Sequence, residues 1–462
     1  MYRLKIPRLV VAGTASGVGK TTVTVGLISA LRARGLKVAA FKCGPDYLDP
    51  TYHSRVAEAG SQNLDGWMMG RDAVVATFVN ASRQVDIAVI EGMMGLFDGA
   101  SPTSEEGSTA EIAKWLSAPV LLVVDSSGIA RSVAAVAHGF GSFDPELRPA
   151  GLVCNYVGGR GHLDLLRAAT PGLPIVGGLP KRTEIAFPER HLGLLTADKG
   201  AVSGALFEAW SKLVEEWFDI DSIIKIARAA PPIPDVKPAE GSISRSLQRC
   251  RIGVAFDDAF HFYYEDNLRR LEALGATIVR FAPTRDRWLP EVDGLYFGGG
   301  YPEAAAMELS RNDAMLEAVR AFASDGGPIY AECGGLMYLS RGIRVLDSQW
   351  YPMVGLVPGE AVMSDRLQAL GYVEVETAKP SILGPAGLRF RGHQFRYSNL
   401  EPIPADVERA YTIRTRWGNE VSTEGYRIHN VLASYVHAHW ASNPLAAEGL
   451  VDSCATYAER KR

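Results

Sequence analysis

The stretch RLVVAGTASGVGKTT, residues 8–22, decides the predicted fold of the first half of the chain. A run of apolar and β-branched residues, typical of a buried strand, leads directly into a glycine-rich turn, and a segment with helical spacing follows. The strict phosphate-loop pattern, Gly-x4-Gly-Lys-Thr, requires glycine at the position of Thr14, whereas Gly13 comes one position too early. The strict pattern therefore fails by one residue.

The loop nevertheless meets the physical requirements for binding a nucleotide. Gly17 and Gly19 allow backbone N–H groups to close on an anion, and Lys20 can reach the outer phosphates. Thr21 presents a hydroxyl to Mg²⁺ at the start of a helix whose positive end favours phosphate. A glycine-rich turn with an incidental lysine is the alternative. Asn155, at a later strand end in GLVCNYV, could read a base edge or form a turn. The expected ATP-binding residues are Ser16, Gly17, Val18, Gly19, Lys20, Thr21, Thr22 and Asn155.

Acidic residues after two further strands predict a magnesium site beside this loop. AFKCGPDYLDP, residues 40–50, carries Asp46 after one strand, and DIAVIEGMMGLFDG, residues 86–99, places Glu91 at the end of another. Ligands collect at these strand ends in open α/β sheets, and Mg²⁺ takes hard oxygen ligands. We therefore expect Thr21, Asp46 and Glu91 to hold Mg²⁺, although either acid alone could be a helix cap or a solvated loop charge.

Short apolar runs alternate with helical segments in two successive blocks, which predicts two α/β domains. Residues 1–226 show the pattern of a parallel sheet wrapped by helices, a phosphate-loop NTPase-type domain. Residues 227–249 contain four prolines and few large apolar side chains, as linkers do. The pattern then restarts, so residues 250–462 are expected to form a second α/β domain, richer in strands toward its end.

Composition argues against several classes of protein. The net charge of −4 over 462 residues is unlike that of a globally basic nucleic-acid-binding protein. No apolar run approaches the roughly 18 residues of a membrane span, and the first one leads into the glycine loop rather than a cleavage site. Five cysteines without a CxxC pair predict neither a disulfide framework nor a structural zinc site. We expect a cytoplasmic protein that binds neither nucleic acid nor membrane.

The stretch YAECGGLMYL, residues 330–339, predicts a nucleophilic thiol in the second domain. A strand runs into Cys333, two glycines remove steric cover, and an apolar helix follows, which is how α/β enzymes expose a nucleophile above a sheet. The helix N-terminus favours a thiolate, and the N–H after the nucleophile can stabilise an oxyanion. The alternative for Cys333 is a small buried hydrophobe, which is how we interpret the other four cysteines.

A base should lie near this thiol, because a free cysteine with a pKa of about 8.5 is only partly ionised at neutral pH. His437 and His439, in ASYVHAHWASNP, are two residues apart on an expected strand and therefore point the same way. Both are candidates for the base. The glycine loop FGGGYPE, residues 297–303, follows another strand and could supply a second oxyanion N–H.

Ten motifs in order resemble the cobyrinic acid a,c-diamide synthase family. They include GTASGVGKTT, KCGPDYLDP, IEGMMGLFDG, AECGGLMYL and YVHAHWASNP, and they extend from the phosphate loop to about residue 444. This family joins an ATP-dependent amide-forming domain, similar to dethiobiotin synthetase, to a class I glutamine amidotransferase domain. Its substrates are carboxylate side chains of corrinoids or related tetrapyrroles.

The resemblance implies that Cys333, assisted by His437, attacks the side-chain amide of glutamine, while Gly299, Gly300 and Gly334 stabilise the oxyanion. Ammonia would pass to the first domain, where ATP and Mg²⁺ convert a substrate carboxylate into an acyl phosphate that ammonia displaces. The expected substrate is cobyrinic acid, amidated on its a and c acetates. Sirohaem or a nickel-sirohydrochlorin-type precursor is the alternative.

Two stretches depart from common patterns. His439 stands where many class I amidotransferases have an acid, which members of this family also lack, so a Cys/His dyad is expected rather than a triad. RGHQFRYS, residues 391–398, has Gln394 and Arg396 where the family usually has an acid and a histidine. An added guanidinium suits a polyanion, although a tolerated surface change would explain the difference as well.

Cations near the phosphate site are expected to bind the polycarboxylate tetrapyrrole. For KRTEIAFPERHLGL, residues 181–194, a solvated cap and loop is an equal alternative. The strand-rich end of the chain offers an edge or face for a homodimer. A phosphate-loop ATPase switch with an inactive amidotransferase-like domain is the alternative from a different class. The candidate substrate residues are Lys42, Lys181, Arg182, Arg190, His393 and Arg396.

Overall fold

The computed structural model of the protein describes residues 4–181, 204–234, 248–416 and 421–461. The chain divides into two compact units, Met1–Glu240 and Gly241–Arg462. Each unit is built on its own large sheet with helices, which confirms the predicted α/β fold class. We call them the first and the second unit.

The first unit is a parallel sheet wrapped by helices. Its strands are β1 (Arg8–Gly13), β2 (Val38–Cys43), β3 (Gln62–Leu64), β4 (Ile87–Glu91), β5 (Val120–Asp125), β6 (Pro149–Val157) and β7 (Ile175–Pro180). Its helices are α1 (Lys20–Ala33), α2 (Leu48–Ala57), α3 (Gly66–Ala81), α4 (Thr109–Trp115), α5 (Ser132–Phe143), α6 (Arg160–Ala169), α7 (Gly204–Trp217) and α8 (Ile220–Arg228).

The strand order in the first sheet brings the predicted phosphate and metal residues together. The order is β3-β2-β4-β1-β5-β6-β7, and every pair of neighbours runs parallel. Val11 of β1 pairs with Glu91 of β4, and Glu91 pairs with Lys42 of β2. Strands β1, β2 and β4 are buried along their whole length, as expected for parallel strands covered on both faces.

The segment after α8 returns to the first unit. Ile233 is buried and forms an antiparallel bridge with Leu4. The buried guanidinium of Arg8 donates to the carbonyl of Pro231, and also to that of Leu116 at 2.6 Å. The residues that open the expected linker 227–249 therefore pack with the first unit up to residue 234, and residues 235–247 lie outside the described part.

The second unit is richer in strands. Its strands are β8 (Cys250–Ala255), β9 (Ala276–Phe281), β10 (Gly294–Phe297), β11 (Ile329–Glu332), β12 (Ser340–Arg344), β13 (Trp350–Pro352), β14 (Val357–Met363), β15 (Ala369–Thr377), β16 (Arg389–Arg396), β17 (Ser398–Glu401), β18 (Glu408–Thr415), β19 (Val421–Ile428), β20 (Val431–Ser434) and β21 (His437–His439). Its helices are α9 (Glu265–Ala273), α10 (Ala306–Arg311), α11 (Asp313–Ser324), α12 (Gly334–Leu339) and α13 (Leu445–Lys461).

Its large sheet is half parallel and half antiparallel. The order is β21-β16-β15-β18-β19-β20-β11-β10-β8-β9, in which β20, β11, β10, β8 and β9 run parallel and the remaining pairs antiparallel. A smaller sheet has the order β13-β12-β14-β17. Cys333 lies between strand β11 and helix α12, and His437 is the first residue of β21. In the part of the chain that the structure describes, no helix is long and apolar enough to cross a bilayer.

Candidate active sites

The glycine loop between β1 and α1 has the backbone conformation that phosphate binding requires. Gly17 and Gly19 have φ angles of 78° and 92°, in the left-handed region that favours glycine. A Cβ on Gly19 would clash with the side-chain amide of Asn155. Helix α1 starts at Lys20, so its first N–H groups face the loop and can attract an anion.

Two polar side chains hold this loop in place. Nζ of Lys20 donates to the carbonyls of Ala15 at 3.0 Å and Met94 at 2.6 Å. Nδ2 of Asn155 donates to the carbonyl of Val18 at 2.9 Å. Asn155 therefore supports the loop backbone directly, and its contact with a nucleotide base stays a prediction.

Glu91 lies at the centre of a buried cluster at the carboxyl ends of β1, β2 and β4. Its Oε1 accepts hydrogen bonds from Oγ1 of Thr21 at 2.8 Å and from Nζ of Lys42 at 2.9 Å. Its Oε2 lies 2.6 Å from Nε2 of His53, on α2. Lys42 also pairs with Asp49 at 2.7 Å. Glu91, His53, Asp49 and Lys42 have almost no exposure, so the charge of Lys42 is compensated by the neighbouring carboxylates rather than by water.

Lys42 stays protonated in this cluster. Burial by itself would lower the pKa of Lys42, but the neighbouring carboxylates of Asp49, Glu91 and Asp46 raise it above its ordinary value. The ammonium group is thus bound to protein carboxylates inside the first unit. The predicted role of Lys42 in holding a substrate carboxylate would require those contacts to rearrange.

Asp46 is placed at the start of α2. Its Oδ1 accepts from the N–H of Leu48 at 3.0 Å, and its Oδ2 accepts from the N–H of Asp49 at 3.3 Å. Asp46 precedes the N-cap residue Tyr47 and bonds the first N–H groups of the helix, which resembles the capping role that was the alternative to metal binding. Its assignment as a magnesium ligand stays a prediction, and Asp49 is a second buried carboxylate of this cluster that the sequence reasoning missed.

The cluster can accommodate Mg²⁺ through Thr21 and Glu91. Among the described residues, no three carboxylate, imidazole or thiol groups converge as a cation site. At nucleotide phosphates, however, Mg²⁺ needs only one or two protein oxygens, because phosphate oxygens and water complete its coordination. The Thr21 hydroxyl and the Glu91 carboxylate, 2.8 Å apart beside the phosphate loop, could supply them.

The remaining predicted substrate cations of the first unit are Lys181, Arg182 and Arg190. Lys181 is exposed just after β7. Arg182 and Arg190 lie outside the described residues.

In the second unit, Cys333 occupies a sharp turn between β11 and α12. Its φ and ψ angles are 47° and −99°, a strained combination for a residue with a side chain. Its N–H donates to the carbonyl of Ser434 at 2.7 Å, and the N–H of Gly334 donates to its sulfur. The turn thus presents the thiol at the N-terminal end of α12, as predicted for a nucleophile.

The glycine loop after β10 packs directly against this turn. The N–H of Gly335 donates to the carbonyl of Gly298 at 3.0 Å. A Cβ on Gly334 would lie 3.1 Å from the backbone nitrogen of Gly300. Gly300 has a φ of 152°, and a Cβ there would clash with the carbonyl of Ala259. Two of the three predicted oxyanion residues, Gly300 and Gly334, are therefore neighbours beside the thiol.

Gly299, the third predicted oxyanion residue, contacts the imidazole of His437. A Cβ at this position would overlap the imidazole of His437, so glycine is needed to let the ring approach the loop. The carbonyl of Gly299 accepts from the N–H groups of His261 and Phe262, at 3.0 Å each, which fixes the loop. One loop therefore contacts both the imidazole of His437 and the residue that follows Cys333.

Three buried histidines surround this position. His393 and His437 are cross-strand partners on β16 and β21, and their rings stack with centroids 4.9 Å apart and planes 18° apart. The hydroxyl of Tyr264 lies 3.0 Å from Nδ1 of His393, and its ring lies 4.7 Å from that of His439. His437 is thus the histidine at the glycine loop. His393, predicted as a substrate residue, lies against it within the same site.

Burial determines the resting charge of the thiol and imidazole. Burial, together with Glu303, raises the pKa of the Cys333 thiol to about 12, against opposing effects of Arg396 and the Gly334 N–H. Burial lowers the pKa of His437 to about 3 and that of His439 to about 4. At neutral pH the thiol and the imidazole are therefore both neutral. A proton transfer between two such groups would create an ion pair without adding net charge, which burial penalises far less than a single charge.

Arg396 lies beside the same site. Its guanidinium carbon is 4.5 Å from the centre of the Tyr435 ring, and its Nη1 donates to the carbonyl of Ser398 at 2.6 Å and to Oδ1 of Asn399. The Ser398 and Tyr435 hydroxyls are 3.1 Å apart. The positive charge of Arg396 acts to lower the pKa of Cys333. This placement associates Arg396 with the thiol, and its contact with a tetrapyrrole stays a prediction.

Comparison with known proteins identifies the family. A model of the CobQ/CobB/MinD/ParA nucleotide binding domain matches residues 9–195, and a model of the CobB/CobQ-like glutamine amidotransferase domain matches residues 251–445. A cobyrinate a,c-diamide synthase from Leptospira interrogans is 54% identical and covers 98% of this chain and 99% of its own. The chain belongs to the cobyrinate a,c-diamide synthase family.

Further relatives of the family agree over a similar length. The enzyme of that name from Syntrophotalea carbinolica is 47% identical, with 98% of this chain and 99% of its own covered. The one from Priestia megaterium is 41% identical, with 98% of each chain covered. The resemblance drawn from the ordered motifs is thereby confirmed. The nucleotide-binding match spans the glycine loop and Glu91, and the amidotransferase match spans Cys333 and His437.

Besides Asp49, three residues of the two sites were missed by sequence reasoning. His53 contacts Glu91, while Glu332 and Asn267 contact the backbone of the strand that carries His437. His53 lies just after the motif KCGPDYLDP and Glu332 lies inside AECGGLMYL, which were noted for other residues, while Asn267 lies in YYEDNL, residues 263–268, a part of another of the ten family motifs. Position within a motif was the available signal, because none of the three has a spacing that predicts its contact.

Replacing Arg396 by glutamine should raise the pKa of the Cys333 thiol, because a cation that favours the thiolate is removed. The rate of Cys333 alkylation by iodoacetamide at pH 8 should fall about tenfold, the change in thiolate fraction for a pKa shift of roughly one unit, and the rise of that rate with pH should move to higher pH. Arg396→Lys keeps the charge and should retain most of the rate, with Cys333→Ala as the blank. An Arg396→Gln rate equal to that of the wild type would exclude this electrostatic effect.

Proposed function

We propose that this chain is an ATP- and glutamine-dependent ligase that converts the a and c acetate side chains of cobyrinic acid, or a closely related corrinoid, into amides. The observation that carries the proposal is the Cys333 turn, packed against a glycine loop that also contacts His437, in a chain with a phosphate loop beside Glu91. The relatives' shared name, cobyrinate a,c-diamide synthase, supports the choice of the corrinoid over sirohaem or a nickel tetrapyrrole.

The second unit would release ammonia from glutamine. The sulfur of Cys333 attacks the side-chain amide carbon while His437 accepts the thiol proton. The negative charge that develops on the amide oxygen is stabilised by the N–H groups of Gly300 and Gly334. His437 then donates the proton to the departing ammonia, and water hydrolyses the remaining thioester to glutamate and the free thiol.

The first unit would activate the substrate carboxylate. Lys20 and the N–H groups of the glycine loop bind the phosphates of ATP, and the γ-phosphoryl group passes to a carboxylate oxygen, which gives ADP and an acyl phosphate. Ammonia attacks the carbonyl carbon, and inorganic phosphate leaves with the electron pair of the broken C–O bond. The product is an amide, which a free carboxylate cannot form because oxide is a poor leaving group.

Mg²⁺ is the cation we propose for the first unit. Thr21 and Glu91 would hold it, and Asp46 remains the further candidate from the sequence. When bound, Mg²⁺ neutralises charge on the phosphates as the phosphoryl group moves. The carboxylate of Glu91 must then exchange contacts with Lys42 or Thr21, because both donate to the same oxygen.

The cysteines and an open sheet edge bear on the location and assembly of the protein. All five cysteines are unpaired thiols, which suits the reducing cytoplasm, and we propose that location. Strand β9 ends the parallel half of the large sheet and is partly exposed, so we propose this edge for a homodimer contact.

An inactive amidotransferase-like domain would not need the strained turn and the glycine loop together. Backbone strain at a residue costs roughly 1–3 kcal/mol and persists where the surrounding structure maintains it. The strain at Cys333, the missing side chain at Gly299 and the adjacent imidazole of His437 together support a working thiol. We therefore favour an active enzyme over an ATPase switch.

Replacing Cys333 by alanine should abolish amidation of cobyrinic acid with glutamine and leave amidation with ammonium chloride near the wild-type rate. Alanine removes the nucleophile without adding volume to the turn, and ammonium supplies the nitrogen directly. Product formation is measured by mass spectrometry with each nitrogen source. Loss of both activities in a variant with unchanged thermal stability would contradict the division of labour between the two units.

Replacing Glu91 by glutamine should reduce amidation about 100-fold with either nitrogen source, because the carboxylate that would hold Mg²⁺ and balance Lys42 loses its charge. Asp86→Asn is the matched control: Asp86 precedes the same strand at its opposite end, is exposed, and accepts from the N–H of Lys37 at 2.7 Å. It should retain wild-type turnover. Normal turnover by Glu91→Gln would remove this residue from the ATP and Mg²⁺ site.

A further inference from the structure

The strand that carries His437 is short and has a sheet neighbour on one side only. Strand β21 contains three residues, lies at the edge of the large sheet and pairs with β16 among the described strands. A three-residue edge strand has few ladder hydrogen bonds to fix its position. The placement of the imidazole of His437 therefore needs support beyond the sheet.

Two buried side chains provide that support at the other edge of the strand. Oε1 of Glu332 accepts from the N–H of Ala438 at 3.0 Å. Nδ2 of Asn267 donates to the carbonyl of Ala438 at 2.8 Å, and its Oδ1 accepts from the N–H of Trp440 at 2.9 Å. We call Glu332 and Asn267 the backbone clamp. It binds both polar groups of the residue between His437 and His439.

The clamp is itself held firmly. Asn267 is fully buried and Glu332 is 1% exposed. Glu332 accepts two further hydrogen bonds, from the hydroxyls of Tyr330 at 2.9 Å and Tyr296 at 3.0 Å. A buried polar network with its hydrogen bonds made is rigid, since any movement leaves a polar group without a partner.

The position of Glu332 links the two reacting residues. It is the last residue of β11 and immediately precedes Cys333, so one peptide bond joins the clamp to the nucleophile. Through Ala438 it also holds the backbone next to His437. The imidazole of His437 packs so closely against Gly299 that a Cβ there would overlap it. A displacement of about 1 Å in a catalytic site can lower the rate roughly 100-fold.

We propose that Glu332 and Asn267 are positioning residues for glutamine hydrolysis, which fix the backbone of Ala438 and thereby set the imidazole of His437 against the thiol of Cys333. This inference rests on the proposed function. It assigns to the clamp the orienting part that a third, acidic residue has in a catalytic triad, but through the backbone instead of the imidazole.

The kinetic test compares Glu332→Leu and Asn267→Leu with the wild type in glutamine hydrolysis. The kcat of each variant should fall about 10- to 100-fold with KM for glutamine within about twofold, because the base is displaced while the substrate contacts remain. Glu332→Gln keeps an acceptor for the Ala438 N–H and should restore kcat to within about threefold. Amidation with ammonium should be unchanged in all variants.

Asn312→Leu is the matched control. Asn312 also bridges backbone groups of the second unit, since its Nδ2 donates to the carbonyls of Pro283 and Asp286 at 2.8 Å each, but it lies at the start of α11. Its kcat should equal that of the wild type. A loss as large as that of the clamp variants would show a general structural effect and overturn the proposal.

Hydrogen exchange separates the failure of this inference from failure of the proposed function. The amides of Ala438 and Trp440 should be protected in the wild type and exchange faster in Asn267→Leu and Glu332→Leu, while those of β8 stay protected. Faster exchange with full kcat would overturn the positioning role alone. A wild type that protects these amides yet hydrolyses no glutamine would overturn the proposed function and, with it, the role of the clamp.

Discussion

The packing of the glycine loop 298–300 against the turn at Cys333 is the constraint on which the second unit's chemistry depends. Side chains at Gly299 or Gly300 would overlap the imidazole of His437 or the carbonyl of Ala259. This packing places the imidazole of His437 and the residue after Cys333 against one loop, where burial keeps both the thiol and the imidazole neutral. In the proposed mechanism, proton transfer as the sulfur attacks would produce an ion pair, which burial penalises less than a single charge.

In the first unit, by contrast, the buried groups are charged and compensate one another. Register places Lys42 beside Glu91, and Glu91 is surrounded by Thr21, Lys42 and His53, so that full charges are buried together. A cluster of this kind compensates the cost of burial by mutual contact, and it can exchange partners when a cation and phosphates enter. A highly charged co-substrate is thus matched to charged residues, and the uncharged side-chain amide of glutamine to a thiol and an imidazole that are both neutral.

Local chemistry explains how much of this was predictable from the sequence. Six strands of the first sheet were evident because helices cover both faces and the runs are apolar throughout, whereas β3, Gln62–Leu64, is too short and polar to stand out. The phosphate loop and the Cys333 turn were also predictable, because the residues that form each of them are adjacent in the sequence. His53, Glu332 and Asn267 could not be found, because their contacts join residues 38, 106 and 171 positions apart.

The two sites together support transfer of the amide nitrogen of glutamine to carboxylates of a corrinoid by one chain. The most direct measurement is mass spectrometry after incubation with glutamine labelled with ¹⁵N at its side-chain amide, ATP, Mg²⁺ and cobyrinic acid, with sirohaem in a parallel reaction. We expect a corrinoid product that carries two labelled amides. An unchanged corrinoid while sirohaem gains labelled amides, or glutamine consumption without labelled product from either, would contradict it.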